Sequence, residues 1–265
     1  MVLESKSKNY DNDPKRTNYI MDLQLTGRSI IVTGATKGIG RAIALGFAAE
    51  GCSVGFCARD ASEVSAMQRE LASRGHAALG MVLDVKDRDG IRLLVERCAE
   101  TFGGIDGVVS NVSAACGDWQ EMFATDLMGA VQLFEAALPL LLKSEIASFT
   151  AISSRASYTG GGAYAAMKCA LMSYVKGISM EYAPQGIRAN IVSPGDIYFE
   201  GGIWHRIENS NPEEWELAQI RNRMGRLGTP EDIANAVVFL ASPAASFISG
   251  TNLRVDGAGS PTTQF

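Results

Sequence analysis

The stretch Thr33-Gly34-Ala35-Thr36-Lys37-Gly38-Ile39-Gly40 follows the β-branched run Ser29–Thr33 and opens a helical stretch over 39–50. Gly34 lets the chain turn sharply off the strand, and Gly38 lets backbone amides approach an anion with no Cβ in the way. Gly40 permits close packing of helix on sheet. The amides at the helix N-terminus then face a pyrophosphate. The spacing is G-x-x-x-G-x-G, not the G-x-G-x-x-G of many dinucleotide folds, and its place between a first strand and a first helix marks a dinucleotide site.

Outward from this turn, strands and helices alternate. Strands are predicted at 53–57, 76–83, 108–110, 146–152, 187–192 and 252–255, and helices at 61–74, 88–102, 119–143, 163–183 and 230–240. Strands separated by helices mean βαβ units and a parallel sheet. The segment between 192 and 230 reads as loop-rich, with a lid over about 196–225. The expected fold is a single α/β domain over 21–265: a doubly wound parallel sheet of about seven strands with helices on both faces. Residues 1–20 are polar, of mixed charge and without an apolar h-region, and read as a flexible tail rather than a secretory signal. Met21 can equally serve as a start.

Composition narrows the function classes. The chain has 265 residues, 46% of them hydrophobic, which excludes a disordered chain. A formal net charge of -5 argues against nucleic acid as a partner. No uninterrupted apolar run reaches the ~18 residues of a membrane span, so no membrane partner is expected. Five scattered cysteines and two distant histidines, His76 and His205, suit neither a disulfide framework nor a metal site. The expectation is a cytoplasmic protein with reduced thiols and no metal.

The end of the second strand bears on the cofactor. An NAD site usually places an acid there for the ribose 2′-hydroxyl. Here it reads Cys57-Ala58-Arg59, and Lys37 approaches from the glycine turn. Two cations and no acid suit a 2′-phosphate, so NADP(H) is favoured. Asp60 can pair with Arg59 and weaken that preference, which leaves NAD(H) open.

Tyr164-Ala165-Ala166-Met167-Lys168 places Tyr and Lys at i and i+4 on one helix face. Upstream, Ile152-Ser153-Ser154 ends a strand and brings a hydroxyl to the carboxyl edge of the sheet, where open α/β sheets bind ligands. A phenol, an ammonium and a hydroxyl together suit acid–base work on a carbonyl or alcohol.

With these pieces in order, the sequence resembles the short-chain dehydrogenase/reductase family, of the classical, 3-oxoacyl-[acyl-carrier-protein] reductase-like type, over nearly all of 22–257. Further matches are Asp84-Val85, Gly186-Ile187-Arg188-Ala189-Asn190, Ser193-Pro194-Gly195, Gly225–Asp232, Ser249-Gly250-Thr251 and Val255-Asp256-Gly257. The resemblance implies a Rossmann fold and assigns roles. Tyr164 is general acid in reduction and general base in oxidation. Lys168 holds the nicotinamide ribose and assists Tyr164, and Ser154, the second of its pair, hydrogen-bonds the substrate oxygen. The cofactor falls to Gly34, Thr36, Lys37, Gly38, Ile39 and Arg59. Asp84 and Val85 flank the adenine and Asn111 the adenosine ribose, while Pro194, Gly195 and Ile197 line the nicotinamide. Tyr158 is a rival tyrosine, but its distance from Lys168 fits neither Tyr-x3-Lys nor the Tyr-x6-Lys of related enoyl reductases.

Three departures stand out. Ser113 replaces a usual glycine, Phe199 replaces a threonine, and Asp126 stands where the family's catalytic tetrad has asparagine. In the family that residue serves through its main-chain carbonyl, a role that survives the exchange. Short segments beside the entrance and an aromatic-bearing lid (Tyr198, Phe199, Trp204, Trp215) suggest an open cleft for a sizeable apolar ketone or alcohol. Packing of the lid onto the domain by its tryptophans is an equal alternative. His205 and Arg206 can meet a substrate carboxylate or be plain surface groups. The family also implies a homo-oligomer, tetramer or dimer. Competing functions are a noncatalytic NADP(H)-binding sensor or scaffold, and a sugar-nucleotide epimerase or dehydratase, which usually adds a C-terminal substrate domain.

Overall fold

The computed structural model of the protein describes residues 21–263; the tail expected over 1–20 lies outside the described residues. Seven strands pair in parallel: β1 Ser29–Thr33, β2 Ser53–Ala58, β3 Ala78–Val82, β4 Gly107–Ser110, β5 Ser148–Ile152, β6 Arg188–Pro194 and β7 Asn252–Val255. Their order across the sheet is β3-β2-β1-β4-β5-β6-β7, the doubly wound arrangement, with the topological switch between β1 and β4.

Strand periodicity sorts the core into two layers. Ile30 and Val32 of β1 face the helices α1 (Gly38–Ala49) and α2 (Ala61–Ser73), with buried Ile43, Phe47, Met67 and Leu71 in the same apolar layer. Ile31 faces the other way, into the layer of buried Leu94, Phe134 and Val175. Those residues come from α3 (Arg88–Phe102), from α5 (Gly129–Leu141), which continues the short α4 (Trp119–Met122), and from α7 (Gly162–Tyr182), which follows a single turn, α6 (Ala156–Thr159). The rod Trp119–Leu141 is long and apolar enough to cross a membrane. Its buried Leu133, Phe134, Ala137 and Leu141 are spent on this core instead.

The predicted elements fall within two residues of the observed ones. The loop-rich reading of the segment after β6 is the correction: it contains α8 (Ile203–Ser210) and α9 (Pro212–Arg221). Asn211 caps α9 by accepting from Glu214 N, Pro212 opens it, Glu213 and Glu214 sit in its first turn and Arg221 in its last. The helix therefore rests on its ends more than on an apolar stripe. The last helix, α10 (Pro230–Ala241), starts with a capping box between Thr229 and Asp232. The Arg226 guanidinium also grips Asp232 and holds its carboxyl down at about 2. Arg188 closes the other end by donating to the Leu240, Ala241, Ser242 and Ala245 carbonyls. Arg188 of β6 thus ties the end of α10 to the sheet, while the Gly225–Asp232 motif fixes the start of the helix.

Close approach of α1 to β1 depends on Gly40. A Cβ there would collide with Gly34 O and the Asn111 amide. Gly40→Ala is expected to cost about 1–3 kcal/mol, the usual price of overpacking. Urea unfolding monitored by circular dichroism reads this as a lower midpoint with an unchanged slope.

Candidate active site

The carboxyl ends of the strands open onto one cleft of about 870 Å³. After β1 it is lined by Gly34, Thr36, Lys37, Ile39 and Gly40, after β2 by Arg59, and after β3 by Asp84 and Val85. Asn111 follows β4, Pro194 ends β6, and Gly195 and Ile197 follow it. Ser154, Tyr164 and Lys168 form the opposite wall. Two expected site residues stand elsewhere. Gly38 is covered by the Phe199 ring, which a Cβ on Gly38 would meet at 2.5 Å. Asp126 lies beneath the cleft floor, 1% exposed.

No side chain caps α1 and its first turn holds no acid, so its partial positive end faces the cleft uncompensated. That cradle fits a diphosphate. Gly34, at φ +67°, makes the turn that aims it. Asn111 holds the turn from below: its side-chain amide donates to Thr33 O at 3.0 Å and Gly34 O at 3.3 Å, while its backbone N–H donates to Thr33 Oγ1.

The chain's polar wall is built on α7 and the end of β5. Tyr164 and Lys168 stand one turn apart, with the Lys168 Nζ 5.8 Å from the Tyr164 ring centroid. Lys168 is 2% exposed. Its Nζ donates to Ile152 O at 3.0 Å and meets Asp126 Oδ1 at 3.0 Å. A third N–H remains for the cleft. Asp126 Oδ2 accepts from Ala114 N at 2.9 Å, so the carboxylate joins Lys168 to the loop after β4. The helix widens to a π-helical turn over Phe123–Met128, around Asp126; such turns often mark functional sites. Both serines border the cleft, but Ser153 is buried and its hydroxyl donates to Lys168 O, whereas Ser154 is only half-buried. Tyr158 stays outside the cleft lining, stacked under Arg254 at 4.1 Å, and burial pushes its phenol up.

Ser113 is accommodated because the left-handed turn falls instead on Ala115, at φ +46°, whose N–H donates to Ser113 Oγ.

At the β2 end, Asp60 spends its carboxylate on the N-terminus of α2, accepting from Ser62 N, Ser62 Oγ and Glu63 N. The bond from the Ser62 hydroxyl, chiefly, holds that acid below the usual carboxylate range. The Arg59–Asp60 pairing that would have weakened the case for a 2′-phosphate is absent from the ion pairs of the described residues. Lys37 instead meets Glu63 Oε1 at 3.1 Å.

On the lid the two tryptophans take different places. Trp204 and Ile203 line the cleft; Trp215 packs on Tyr198 at 5.6 Å. His205 and Arg206 both lie off the cleft lining, and His205 Nδ1 accepts from Gly201 N. Asp196, unremarked in the sequence, ties lid to site floor. It pairs with Arg155 at 3.2 Å and Arg221 at 3.0 Å, and Asn222 donates to it. Its one sequence signal is an acid directly after Pro194-Gly195.

Comparison with known proteins agrees with this geometry. A family model described as Enoyl-(Acyl carrier protein) reductase matches residues 34–259. Isoepoxydon dehydrogenase of Penicillium expansum is 38% identical over 93% of this chain and 100% of its own length. The 3-oxoacyl-[acyl-carrier-protein] reductase of Escherichia coli is 32% identical over 89% of this chain and 98% of its own. L-sorbose reductase from Gluconobacter frateurii, solved with NADPH and L-sorbose, superimposes with a TM-score of 0.85 at 28% identity, covering 92% of this chain and 100% of that one. With its sheet order, glycine turn and Tyr-x3-Lys wall, the chain belongs to the short-chain dehydrogenase/reductase family of oxidoreductases.

Proposed function

We propose that this protein is an NADP(H)-dependent oxidoreductase interconverting a ketone and a secondary alcohol. One observation carries the reading: Tyr164, Lys168 and Ser154 share the wall of a cleft whose other end is the uncapped N-terminus of α1. The bound nicotinamide would supply or accept the hydride. The chain handles the proton and the orientation. In reduction Tyr164 Oη donates a proton to the substrate oxygen, which Ser154 Oγ holds; in oxidation Tyr164 accepts it back. Lys168, fixed by Ile152 O and Asp126, would hold the ribose with its remaining N–H. Absorbance at the nicotinamide band, followed over a panel of ketones and alcohols, tests this. Cofactor binding without turnover on any member would replace it with a sensor or scaffold.

The cofactor preference rests on Arg59 and Lys37, with no acid at the end of β2. Arg59→Leu is expected to weaken NADPH about tenfold, the lower range for one charge-assisted hydrogen bond, and to leave NADH unchanged. Titration by nicotinamide fluorescence measures both, and tighter NADH binding by the unaltered protein would refute the preference.

Ala114, Ala115, Ile203 and Trp204 give the substrate end an apolar wall, which suits a sizeable apolar ketone. A graded ketone series decides, since preference for the smallest members would sink this. We further infer a cytoplasmic homo-oligomer, tetramer or dimer. Support comes from Trp119, Phe123 and Met180, large apolar side chains left exposed on the rod Trp119–Leu141 and on α7, and from fully exposed Phe247 near β7. Light scattering on the eluting protein gives the state, and a monomer would refute it.

A further inference from the structure

At the adenosine end of the cleft the chain carries an anion of its own. Glu63, the third residue of α2, lines the cleft beside Thr36, Lys37 and Arg59. Its Oε2 accepts from Thr36 Oγ1 at 2.8 Å, and its Oε1 accepts from Lys37 Nζ at 3.1 Å. The turn thus spends two donors on an internal carboxylate, where an incoming phosphate would need them. From this juxtaposition we propose that Glu63 is a specificity-determining residue. It competes with the 2′-phosphate of NADP(H) for Lys37 and Thr36, and so narrows the gap between NADP(H) and NAD(H).

The inference rests on the NADP(H) reading and deepens it. A carboxylate and a phosphate cannot share one lysine and one hydroxyl without like-charge repulsion, so the phosphate must displace Glu63 or bind through Arg59 alone. The hydroxyl bond from Thr36, then Lys37, holds the Glu63 carboxyl below its usual range, so the competitor stays charged at neutral pH. Glu63 is also about one-third exposed and Lys37 mostly exposed. Their mutual attraction is therefore screened, and the latch can open.

Calorimetry on the full chain with 2′,5′-ADP and 5′-AMP tests the proposal, because the two probes differ only at the 2′ position. Glu63→Gln is expected to tighten 2′,5′-ADP about fivefold, the scale of one exposed charge interaction, with 5′-AMP unchanged. In a Lys37→Met background that gain should shrink, leaving the share that runs through Thr36. No gain for 2′,5′-ADP, a loss, or an equal gain for both probes would overturn the role. Failure of the underlying cofactor reading shows separately: the unaltered protein would then not favour 2′,5′-ADP over 5′-AMP, and Arg59→Leu would not weaken it. The Glu63→Gln comparison remains decisive in either case. The melting temperature of each variant, with no ligand, checks that the fold is retained.

Discussion

Tyr164→Phe is expected to lower kcat about a thousandfold in both directions, within the ~10²–10⁴ that a positioned acid–base group contributes. The substitution removes one oxygen and keeps the ring, so the packing of α7 and the ring's place beside Lys168 persist. Cofactor affinity should stay as it was, since Lys168, Asp126 and the uncapped end of α1 are untouched. That split separates the hydroxyl's chemistry from a general loss of structure. Undiminished turnover would remove Tyr164 from the mechanism, and Tyr158, buried under Arg254 and off the cleft, could not take its place.

Much of this site was legible because its signals are local. The turn Thr33–Gly40 needs glycine at Gly34, where φ is positive, and at Gly40, where no Cβ fits. The Tyr164–Lys168 spacing fixes two side chains on one face without knowledge of anything else. What escaped the sequence is contact made across elements. Phe199 over Gly38 joins the segment after β6 to the turn after β1, and Asp196 joins three segments through Arg155, Arg221 and Asn222. Glu63 lies two turns of chain topology from Lys37, and only the register of β1 on β2 brings α2 beside the glycine turn. The helices α8 and α9 were missed for a related reason. Both are short and largely exposed, and α9 is held by Asn211, Pro212 and the charges at its ends, signals a search for apolar periodicity passes over.

Asp126 is the departure whose meaning changes most once the structure is known. A main-chain role would make the side chain indifferent, but here the carboxylate is the buried counter-charge of Lys168. Asp126→Ala would leave that ammonium buried with only Ile152 O, and would strip Ala114 N of its acceptor. Breaking a buried pair from one side costs about 3–5 kcal/mol, because desolvation of the remaining charge is no longer offset. Thermal melting should therefore fall by roughly 6–20 °C for a domain of this size. Asp126→Asn, the residue usual in the family, keeps an acceptor for Ala114 N and a dipole for Lys168. It should recover most of the stability and most of the turnover. The contrast between the two variants is the test. If alanine and asparagine melt alike near the unaltered protein, Lys168 is not held by this carboxylate. If both melt equally low, the charge itself, rather than an acceptor at that point, is what the lysine requires.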